Sequence, residues 1–509
     1  MAEMADARFF AWTPDDASAV IIHTDSEAGY ARLRREYAPL VEVPALEQLI
    51  YVAKTHKVES IVVERRYIDA DYRSEHSSFY STTFQRYPSV AHRLHFFTTR
   101  VADSLEDLDQ LQDNYVGYSV MRPLDTAPVG RTMIAPPPDI EARWCLATDT
   151  VHLLGWTLRV AAVPFMSQDE QYLRCAHAAE WMVLYHAHLF HGLPRRLPAD
   201  IYDEALGGEV VDRQLPSMGL SVGQMLNSLH RFGLSPSRLT LPATRAESVS
   251  LDPELSLPGI ICRYVNSQMP PIVLSRSHAW VIAGYAIEGP GHAHDHAVFY
   301  RHDDAAGPYI KVDDPWKEPL EQHQPWLLAL PSLPKKCYLT AERAEAVSIY
   351  LYEAAANALE HALAEKIDSF PGFASGVPED WLGYRTYGIS STLYKEGLRT
   401  RGLPEPIAQL YRLANWPKYI WVTEVQDRDL RDRKAPAVLG EVILDGTAHH
   451  LTDFKDPAPL LAMHIAGNAL RKSPEFGNLQ KVEHEPWTHY ESGCPAPFRS
   501  PPVPSTVGT

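Results

Sequence analysis

One cysteine, Cys175, heads the apolar stretch that most constrains the fold of this chain. Residues 175–191 place Ala, Trp, Met and Leu at helical spacing, and two glutamines, Gln168 and Gln171, precede the cysteine. A cysteine at a helix N-terminus meets the positive end of the helix dipole, which favours the thiolate. A glutamine just upstream can donate a side-chain N–H to a developing oxyanion. The stretch therefore predicts a helix that presents a reactive thiol.

A nucleophilic cysteine needs a histidine partner, which lies far from it in sequence. His278 fits this role, because it directly precedes an apolar run at 279–287 that predicts a buried strand. A Gly/His-rich turn at 288–296 and a further apolar run at 297–302 follow. This pattern predicts a hairpin whose second strand returns towards His278.

Four carboxylates follow the returning strand. Asp303 and Asp304 come at its end, and Asp313 and Asp314 follow the next predicted strand, 309–312. Side chains alternate along a strand, so only one of the first two can reach the His278 ring. We expect Asp303 to do so, with Asp304 and Asp314 as alternatives. A Cys–His–Asp set of this kind attacks a carbonyl with sulfur, moves the proton through histidine and holds the histidine tautomer with the carboxylate.

The ordered set resembles the papain-like cysteine peptidases, and within them the bacterial C39-like branch. The residues that carry the resemblance are Cys175-Ala176 at the head of the helix, the segment Arg263 to Val273, and the segment His278 to Tyr285. The resemblance covers only the part of the chain from about residue 150 to about residue 320. It implies cleavage of a peptide or isopeptide bond in a protein, with no metal and no organic cofactor.

The chain departs from that family at the oxyanion glutamine, whose usual position is held here by Asp169. Gln168 and Gln171 flank that position, and we prefer Gln168 because the family's glutamine lies on the loop before the helix. Residues 167–170 also have capping-box spacing. A cap there would start the helix early, place Cys175 in its second turn and weaken the effect of the dipole. A histidine-rich insertion before the acid is a second departure.

The remaining pattern predicts an α+β protein in which a papain-like domain is flanked by N- and C-terminal α/β regions. The predicted units are an N-terminal α/β domain at 1–140, the peptidase-like domain at 141–338, a C-terminal α+β domain at 339–493 and a disordered proline-rich tail at 494–509. Apolar runs predict strands at 151–161, 259–265 and 347–352, the last followed by a helix at 353–367. Aromatic residues between 67 and 97 predict packing between helices.

Composition limits the partners. A formal net charge of −17 over 509 residues argues against nucleic acid and against anionic membrane surfaces, which both need clustered basic residues. Five cysteines without a CxxC pair indicate free thiols in a reducing compartment. With an acidic N-terminus and no apolar run long enough to span a bilayer, we expect a cytoplasmic protein. Its expected partners are a protein or peptide substrate and proteins that meet the flanking domains.

Several histidines and cysteines have simpler interpretations. His292, His294 and His296 alternate as zinc ligands can, but Gly and Pro surround them and a solvated loop is the preferred interpretation. The remaining histidines of the cysteine helix, at 186, 188 and 191, are expected at the surface, and the cysteines at 145, 262 and 337 are expected to be structural. An acyl transferase on the same triad and an inactive interaction scaffold are the alternative functions.

Overall fold

The computed structural model describes residues 19–102, 108–206, 219–241, 257–275, 278–288, 297–312, 328–363, 382–427, 435–448, 458–465, 468–472, 479–483 and 489–494. Within these residues the chain is a mixed helix and sheet protein with several antiparallel sheets. Among the helices described, none has the length and apolar character needed to cross a membrane.

The N-terminal region is a five-stranded antiparallel sheet in the order β1-β2-β3-β4-β5 with helices packed on it. Its elements are β1 (Ala19–His23), α1 (Glu27–Tyr37), α2 (Pro44–Thr55), β2 (Ser60–Tyr67), α3 (Ala70–Ser78), β3 (Ala91–Phe97), β4 (Tyr115–Met121) and β5 (Val129–Ile134), with 3₁₀ helices at Tyr80–Thr82 and Leu108–Asn114. The helix α2 begins at Pro44, whose fixed φ and missing N–H suit a first turn. The strands β3, β4 and β5 are buried along their whole length, so both faces of this part of the sheet are covered.

The central region is built on a seven-stranded antiparallel sheet in the order β10-β15-β11-β12-β13-β14, with β6 also paired to β12. Its elements are β6 (Arg143–Trp144), β7 (Ala147–Leu153), β8 (Trp156–Ala162), α4 (Cys175–His191), α5 (Pro198–Leu206), α6 (Val222–Arg231), β9 (Leu234–Pro236), β10 (Leu239–Thr240), α7 (Leu257–Asn266), β11 (Ile272–Leu274), β12 (Ala279–Ile287), β13 (Ala297–Asp303), β14 (Gly307–Val312), β15 (Leu328–Leu330) and β16 (Ser332–Pro334). The helix α4 packs against β12, so the element that carries Cys175 lies on the strand that follows His278.

The C-terminal region is a six-stranded antiparallel sheet in the order β17-β18-β19-β20-β21-β22. Its elements are α8 (Ala341–Leu363), β17 (Leu382–Ser390), α9 (Ser391–Gly397), α10 (Glu405–Leu413), β18 (Tyr419–Asp427), β19 (Val438–Asp445), β20 (Leu460–Ile465), β21 (Asn468–Lys472) and β22 (Leu479–Glu483). The strands β18 and β19 pair antiparallel, with Val422 opposite Ile443.

The buried apolar side chains fall into three clusters. One cluster runs without a break from Ile22 in the N-terminal region to Leu330 at the end of the central sheet. A second joins α7 and α8 to the C-terminal sheet, and a third fills the other face of that sheet beneath α10. The N-terminal sheet and the cysteine helix therefore share one core, whereas most of the C-terminal sheet has cores of its own.

Two predicted strands are helices. The run 259–265 lies in α7, and 347–352 lies in the middle of α8. The first error arises because a short apolar run buried on several sides cannot be assigned to strand or helix by its periodicity. The second arises because Ala- and Glu-rich flanks extend one long helix through a segment rich in aromatic and β-branched residues. The predicted strand 151–161 is a hairpin of β7 and β8, in which Leu153 pairs with Trp156.

Cys494, which the prediction places in the disordered tail, is described, and its side chain is buried. Its sulfur accepts from Arg143 Nη1 at 3.4 Å and donates to the carbonyl of Asn266 at 3.7 Å. Residues 495–509, the histidines at 292, 294 and 296, and Asp314 lie outside the described residues.

Candidate active site

The predicted helix 175–191 is confirmed as α4, and it begins at Cys175 itself. Arg174 precedes it with extended backbone, and its N–H donates to Nδ1 of His177 at 3.4 Å. Burial and the charge of Arg174 lower the pKa of His177 to about 4, so this ring stays neutral and can accept. The thiol therefore lies in the first helical turn, where unpaired N–H groups and the helix dipole favour an anion.

The capping-box alternative at 167–170 is wrong, because a turn held by Asp169 takes its place. Asp169 Oδ1 accepts the backbone N–H groups of Gln171, Tyr172 and Leu173 at 2.9, 2.8 and 2.8 Å. The residue at the family's glutamine position thus closes the loop before α4 with three hydrogen bonds. This turn keeps the loop out of the helix and sets where α4 begins.

Two side chains of the N-terminal region hold that loop from the other side. The hydroxyl of Tyr80 donates to Asp169 Oδ2. Arg122, paired with Glu75 at 3.0 Å, donates from Nη2 to the carbonyl of Ser167 at 2.9 Å. Both contacts are buried. The loop that leads into Cys175 is therefore held by the N-terminal region as well as by its own turn.

Cys175 differs from the other four cysteines in its exposure. It is half-buried, whereas the cysteines at 145, 262, 337 and 494 are buried. Burial raises the pKa of Cys337 to about 12, and it also raises the pKa of Cys145, Cys262 and Cys494. The structural interpretation of Cys145, Cys262 and Cys337 agrees with this burial. Cys175 is the one thiol of the chain that solvent and a partner imidazole can both reach.

The predicted hairpin of β12 and β13 brings His278 and two carboxylates together. Val281 pairs with His302 in antiparallel register. Continuing that register places Asp303 opposite Trp280 and Asp304 opposite Ala279, so both lie beside the start of β12. His278 Nε2 is 3.1 Å from Asp303 Oδ1 and 3.7 Å from Asp304 Oδ1. The distance to Asp303 is that of a hydrogen bond, and the distance to Asp304 is not.

Asp303 is held on several sides as an ionised carboxylate. Oδ1 also accepts the N–H groups of Ala305 and Ala306 at 3.1 and 3.3 Å, and Arg301 Nη2 lies 3.3 Å from Oδ2. Burial acts to raise the pKa of Asp303, but its hydrogen bond to His278 and the charges of His278 and Arg301 lower it below the usual range. An Asp303 anion is thus available to fix the orientation of the imidazole.

The turn after Asp303 is packed against the N-terminal region. Gly307 has φ +125°, and a Cβ at this position would lie 2.5 Å from Cβ of Gln48 in α2. Gln48 Nε2 donates to the carbonyl of Pro308 at 2.9 Å. Only glycine combines this φ with so close an approach of the helix. The N-terminal region therefore contacts the acid side of the site as well as the cysteine side.

Asp304 has a different environment from Asp303. Its side chain is 1% exposed, and within the described part of the chain neither carboxylate oxygen has a hydrogen-bond partner. Burial and the charge of Asp303 raise its pKa to about 8, in spite of the opposing charge of His278. The two adjacent carboxyls therefore differ in character, one anionic and one largely neutral at pH 7.

The imidazole of His278 lies between these acids and the thiol. Its side chain is 21% exposed, so solvent reaches one edge of it. Burial acts to lower its pKa, but hydrogen bonds to Asp303 and Cys175 and the charges of Asp303 and Asp304 raise it to about 10. An imidazolium beside a thiol stabilises the thiolate. The structure thus brings together Cys175, His278 and Asp303, three of the four residues predicted for the site.

The fourth predicted residue, Gln168, lies half-buried in the loop before α4, whereas Gln171 is exposed. The prediction that the remaining histidines of α4 lie at the surface is wrong for His186, which is 1% exposed. Burial is the largest cause that lowers the pKa of His186 to about 3. His188 and His191 are half-buried.

Sequence reasoning missed the residues that hold the site from outside the central sheet. Tyr80, Arg122 and Gln48 lie in segments whose patterns indicate packing and nothing more. Phe79 stacks on Tyr172 with ring centroids 5.8 Å apart, so aromatic residues of 67–97 do pack between elements as predicted. These contacts could be predicted only from knowledge of which distant segments meet. Sequence periodicity does not give that knowledge.

Comparisons with known proteins were made at the level of sequence and of structure. No family model matches the chain, and no curated protein matches it. Among solved structures, it is similar to the N-terminal peptidase C39-like domain of the toxin secretion ATP-binding protein from Vibrio parahaemolyticus. The match has 13% sequence identity and a TM-score of 0.19, and covers 31% of this chain and 97% of that chain. A likeness of this size carries no argument about activity.

Proposed function

We propose that the chain is a papain-like cysteine peptidase in which Cys175 is the nucleophile, His278 the acid–base and Asp303 the orienting carboxylate. The observation that carries the proposal is the position of the His278 ring, whose Nε2 is 3.1 Å from Asp303 Oδ1 and whose pKa the nearby Cys175 side chain helps to raise. Two further features support it: Cys175 is the first residue of α4, and it is the one cysteine that is not buried.

In the proposed reaction, Nε2 of His278 faces Asp303, and Nδ1 is the nitrogen left for sulfur. The Cys175 thiolate attacks the carbonyl carbon of a peptide bond, and the imidazolium gives its proton to the leaving amine. Gln168 and the N–H groups at the start of α4 are the proposed donors to the oxyanion. Water then adds to the thioester and gives its proton to His278, and collapse releases the acid and frees Cys175.

The proposed substrate is a protein or peptide, cleaved at a peptide or isopeptide bond. The flanking regions would select it, because the central region is no larger than one ordinary domain and the rest of the chain exceeds what catalysis requires. The unit boundaries proposed for this division are residues 1–140, 141–338 and 339–493.

Alkylation and peptide cleavage test the proposal together. Iodoacetamide at neutral pH should label Cys175 well before the other four cysteines. A peptide library made from a proteome should gain new N-termini with the full-length chain, and should gain none with the Cys175→Ala variant. Asp303→Asn should lower turnover about a hundredfold or more, because the shape is kept while the charge that stabilises imidazolium is lost.

Two results would overturn the proposal. One is equal labelling of all five cysteines in the folded chain. The other is cleavage that survives Cys175→Ala. A transferase on the same residues would be revealed instead by products in which an added primary amine, such as hydroxylamine, has captured the acyl group. If Asp304→Asn abolishes cleavage while Asp303→Asn does not, the orienting carboxylate is Asp304.

A further inference from the structure

Asp304 has no role in the proposed peptidase reaction, although its side chain is almost completely buried beside His278 and Asp303. Its side chain is 1% exposed, and among the described residues neither of its oxygens has a hydrogen-bond partner. A buried carboxyl without a partner is costly, and such groups call for a specific explanation. Oδ1 of Asp304 points towards Nε2 of His278, at 3.7 Å.

The atoms around this carboxyl have the spacing of metal ligands. One donor atom from each of His278, Asp303 and Asp304 lies within 4.8 Å of the other two. Zinc binds imidazole nitrogen and carboxylate oxygen at about 2.0–2.2 Å, so tetrahedral ligands stand about 3.3 Å apart. The separations from Nε2, 3.1 Å to Asp303 and 3.7 Å to Asp304, lie on either side of that value.

The surroundings of the three donors suit ligands that are held in place. Arg301 Nη2 lies 3.3 Å from Oδ2 of Asp303, on the oxygen that the histidine does not contact. The N–H groups of Ala305 and Ala306 donate to Asp303 Oδ1. Hydrogen bonds of this kind orient the side chains that bind a metal directly, and they can remain when the metal is bound. The partly exposed edge of His278 leaves a path from solvent.

We propose that His278 Nε2, Asp303 and Asp304 form a three-ligand site for Zn²⁺, with water as the fourth ligand. Cys175 is not a proposed ligand, because the group of donor atoms that lie within 4.8 Å of one another does not include its thiol. Asp304, whose oxygens have no hydrogen-bond partner among the described residues, becomes a ligand in this state. Two carboxylates and one imidazole are a ligand set that zinc accepts with an open position.

Zinc and the peptidase arrangement exclude each other. Metal on Nε2 takes the nitrogen that Asp303 holds in the proposed reaction, so the imidazole loses the hydrogen bond that orients it and the ion pair with Asp303 that stabilises its protonated form. This consequence rests on the proposed function, whereas the binding itself does not. We therefore expect zinc to inhibit cleavage reversibly, and EDTA to leave cleavage intact or to increase it.

Calorimetric titration of the full chain with ZnCl₂ tests the binding without any substrate. The wild-type chain and Cys175→Ala should each bind one zinc with equal affinity. Asp304→Asn and His278→Ala should each weaken binding at least about tenfold. The matched control is Asp203→Asn, which removes an exposed carboxylate elsewhere in the central region and should bind as the wild type does.

Cobalt substitution gives a second measurement on the unmodified protein, which keeps the test valid if Asp304→Asn does not fold. Co²⁺ at the proposed site should show tetrahedral ligand-field absorption without a thiolate-to-metal charge-transfer band. The proposal is overturned if that band is present, if Cys175→Ala loses zinc, or if no stoichiometric binding occurs. It is equally overturned if combined replacement of His292, His294 and His296 by alanine abolishes binding while Asp304→Asn does not. Failure of peptide cleavage in the wild type would remove the peptidase proposal and leave the zinc result standing.

Discussion

The N-terminal and C-terminal regions both flank the central sheet, but they meet it in different ways. The N-terminal region shares one apolar core with α4 and β12, and its side chains reach Asp169, Ser167 and Pro308 around the candidate site. The C-terminal region meets the central region through contacts that include the pair Arg263–Glu345, the bond from Gly388 N–H to Ser267 Oγ and an edge contact of His191 at the end of α4 with Tyr419. None of these three contacts includes a residue of the Cys–His–Asp set.

The buried charges of the two regions show the same difference. Arg122 and Glu75 form a buried pair whose arginine also binds a carbonyl of the loop before Cys175. Arg401 is equally buried, but it pairs with Glu424 and Glu441, all within the C-terminal region. A buried ion pair costs desolvation free energy wherever it lies. Its effect on the site therefore depends on which groups accept hydrogen bonds from the arginine N–H groups that the ion pair does not use. The N-terminal region therefore has a buried charge that holds the loop before Cys175, whereas the partners of Arg401 lie within the C-terminal region.

The prediction with the largest expected effect compares substitutions of these two arginines. Arg122→Met leaves buried Glu75 without its cation, and Arg401→Met does the same to Glu424 and Glu441, so each should lower the free energy of unfolding by about 3–5 kcal/mol. Only Arg122→Met should also slow alkylation of Cys175, because only Arg122 holds the carbonyl of Ser167. Urea unfolding measures the first quantity, and labelling by iodoacetamide measures the second under conditions where both variants are folded. Equal slowing of labelling in both variants would remove the distinction between the regions.

The sequence predicted the part of the site that depends on local pattern. Helical spacing located α4 to the residue, and the antiparallel return of the hairpin 279–302 placed Asp303 and Asp304 beside His278. Both follow from patterns that the chain carries within a short segment. Strand alternation did not separate the two acids as predicted, because His278 Nε2 is 3.1 Å from Asp303 and 3.7 Å from Asp304, although only the first is a hydrogen-bond distance.

The parts that the sequence did not predict depend on tertiary contact. The capping-box spacing at 167–170 would start a helix in an isolated peptide, but Asp169 turns the loop and Tyr80 holds it from another sheet. The run 259–265 became a helix because its environment is apolar on several sides, which overrides a weak strand preference. Which segment meets which is set by the packing of whole sheets, and no short pattern encodes it.

Two histidines in different surroundings, His278 and His464, should respond differently to pH. His278 lies between carboxylates, and hydrogen bonds to Asp303 and Cys175 outweigh burial and raise its pKa to about 10. His464 in β20 lies between the hydroxyls of Tyr411 and Tyr490, at 2.8 and 2.6 Å. Burial, with the charge of Arg401, lowers its pKa to about 3. The first ring is a cation at neutral pH, and the second is neutral.

The two rings should therefore affect stability in opposite directions. An unfolded histidine has a pKa of about 6.5. The stabilisation from His278 should be complete below pH 6.5 and disappear as pH rises to about 10. His464 should destabilise the fold as pH falls below 6.5, by up to about 1.4 kcal/mol for each pH unit. NMR titration of the imidazole Cε1–H signals in EDTA measures the pKa values of both rings, with His278→Gln and His464→Gln for assignment. A His278 midpoint near 6.5 would contradict the ion pair.

Two buried tyrosines, one in each flanking region, provide the prediction with the smallest expected effect. Tyr80 donates to Asp169 in the loop before Cys175, and Tyr411 is hydrogen-bonded to His464 within the C-terminal region. Removing either hydroxyl leaves a buried polar partner without one of its bonds, which costs about 1–3 kcal/mol. Tyr80→Phe and Tyr411→Phe should therefore lower the free energy of unfolding by similar amounts.

Their effects on the site should differ, because Asp169 orients the turn that fixes the start of α4. Without the hydroxyl of Tyr80, the carboxylate keeps its three backbone N–H bonds, so the turn persists but moves more freely. Alkylation of Cys175 should slow severalfold in Tyr80→Phe and stay at the wild-type rate in Tyr411→Phe. Competition between iodoacetamide forms of two isotopic masses, read by mass spectrometry of the Cys175 peptide, resolves such a ratio. If the Tyr411→Phe variant slows as much as Tyr80→Phe, the C-terminal sheet is coupled to the site through the core, and the two regions are not separate in function.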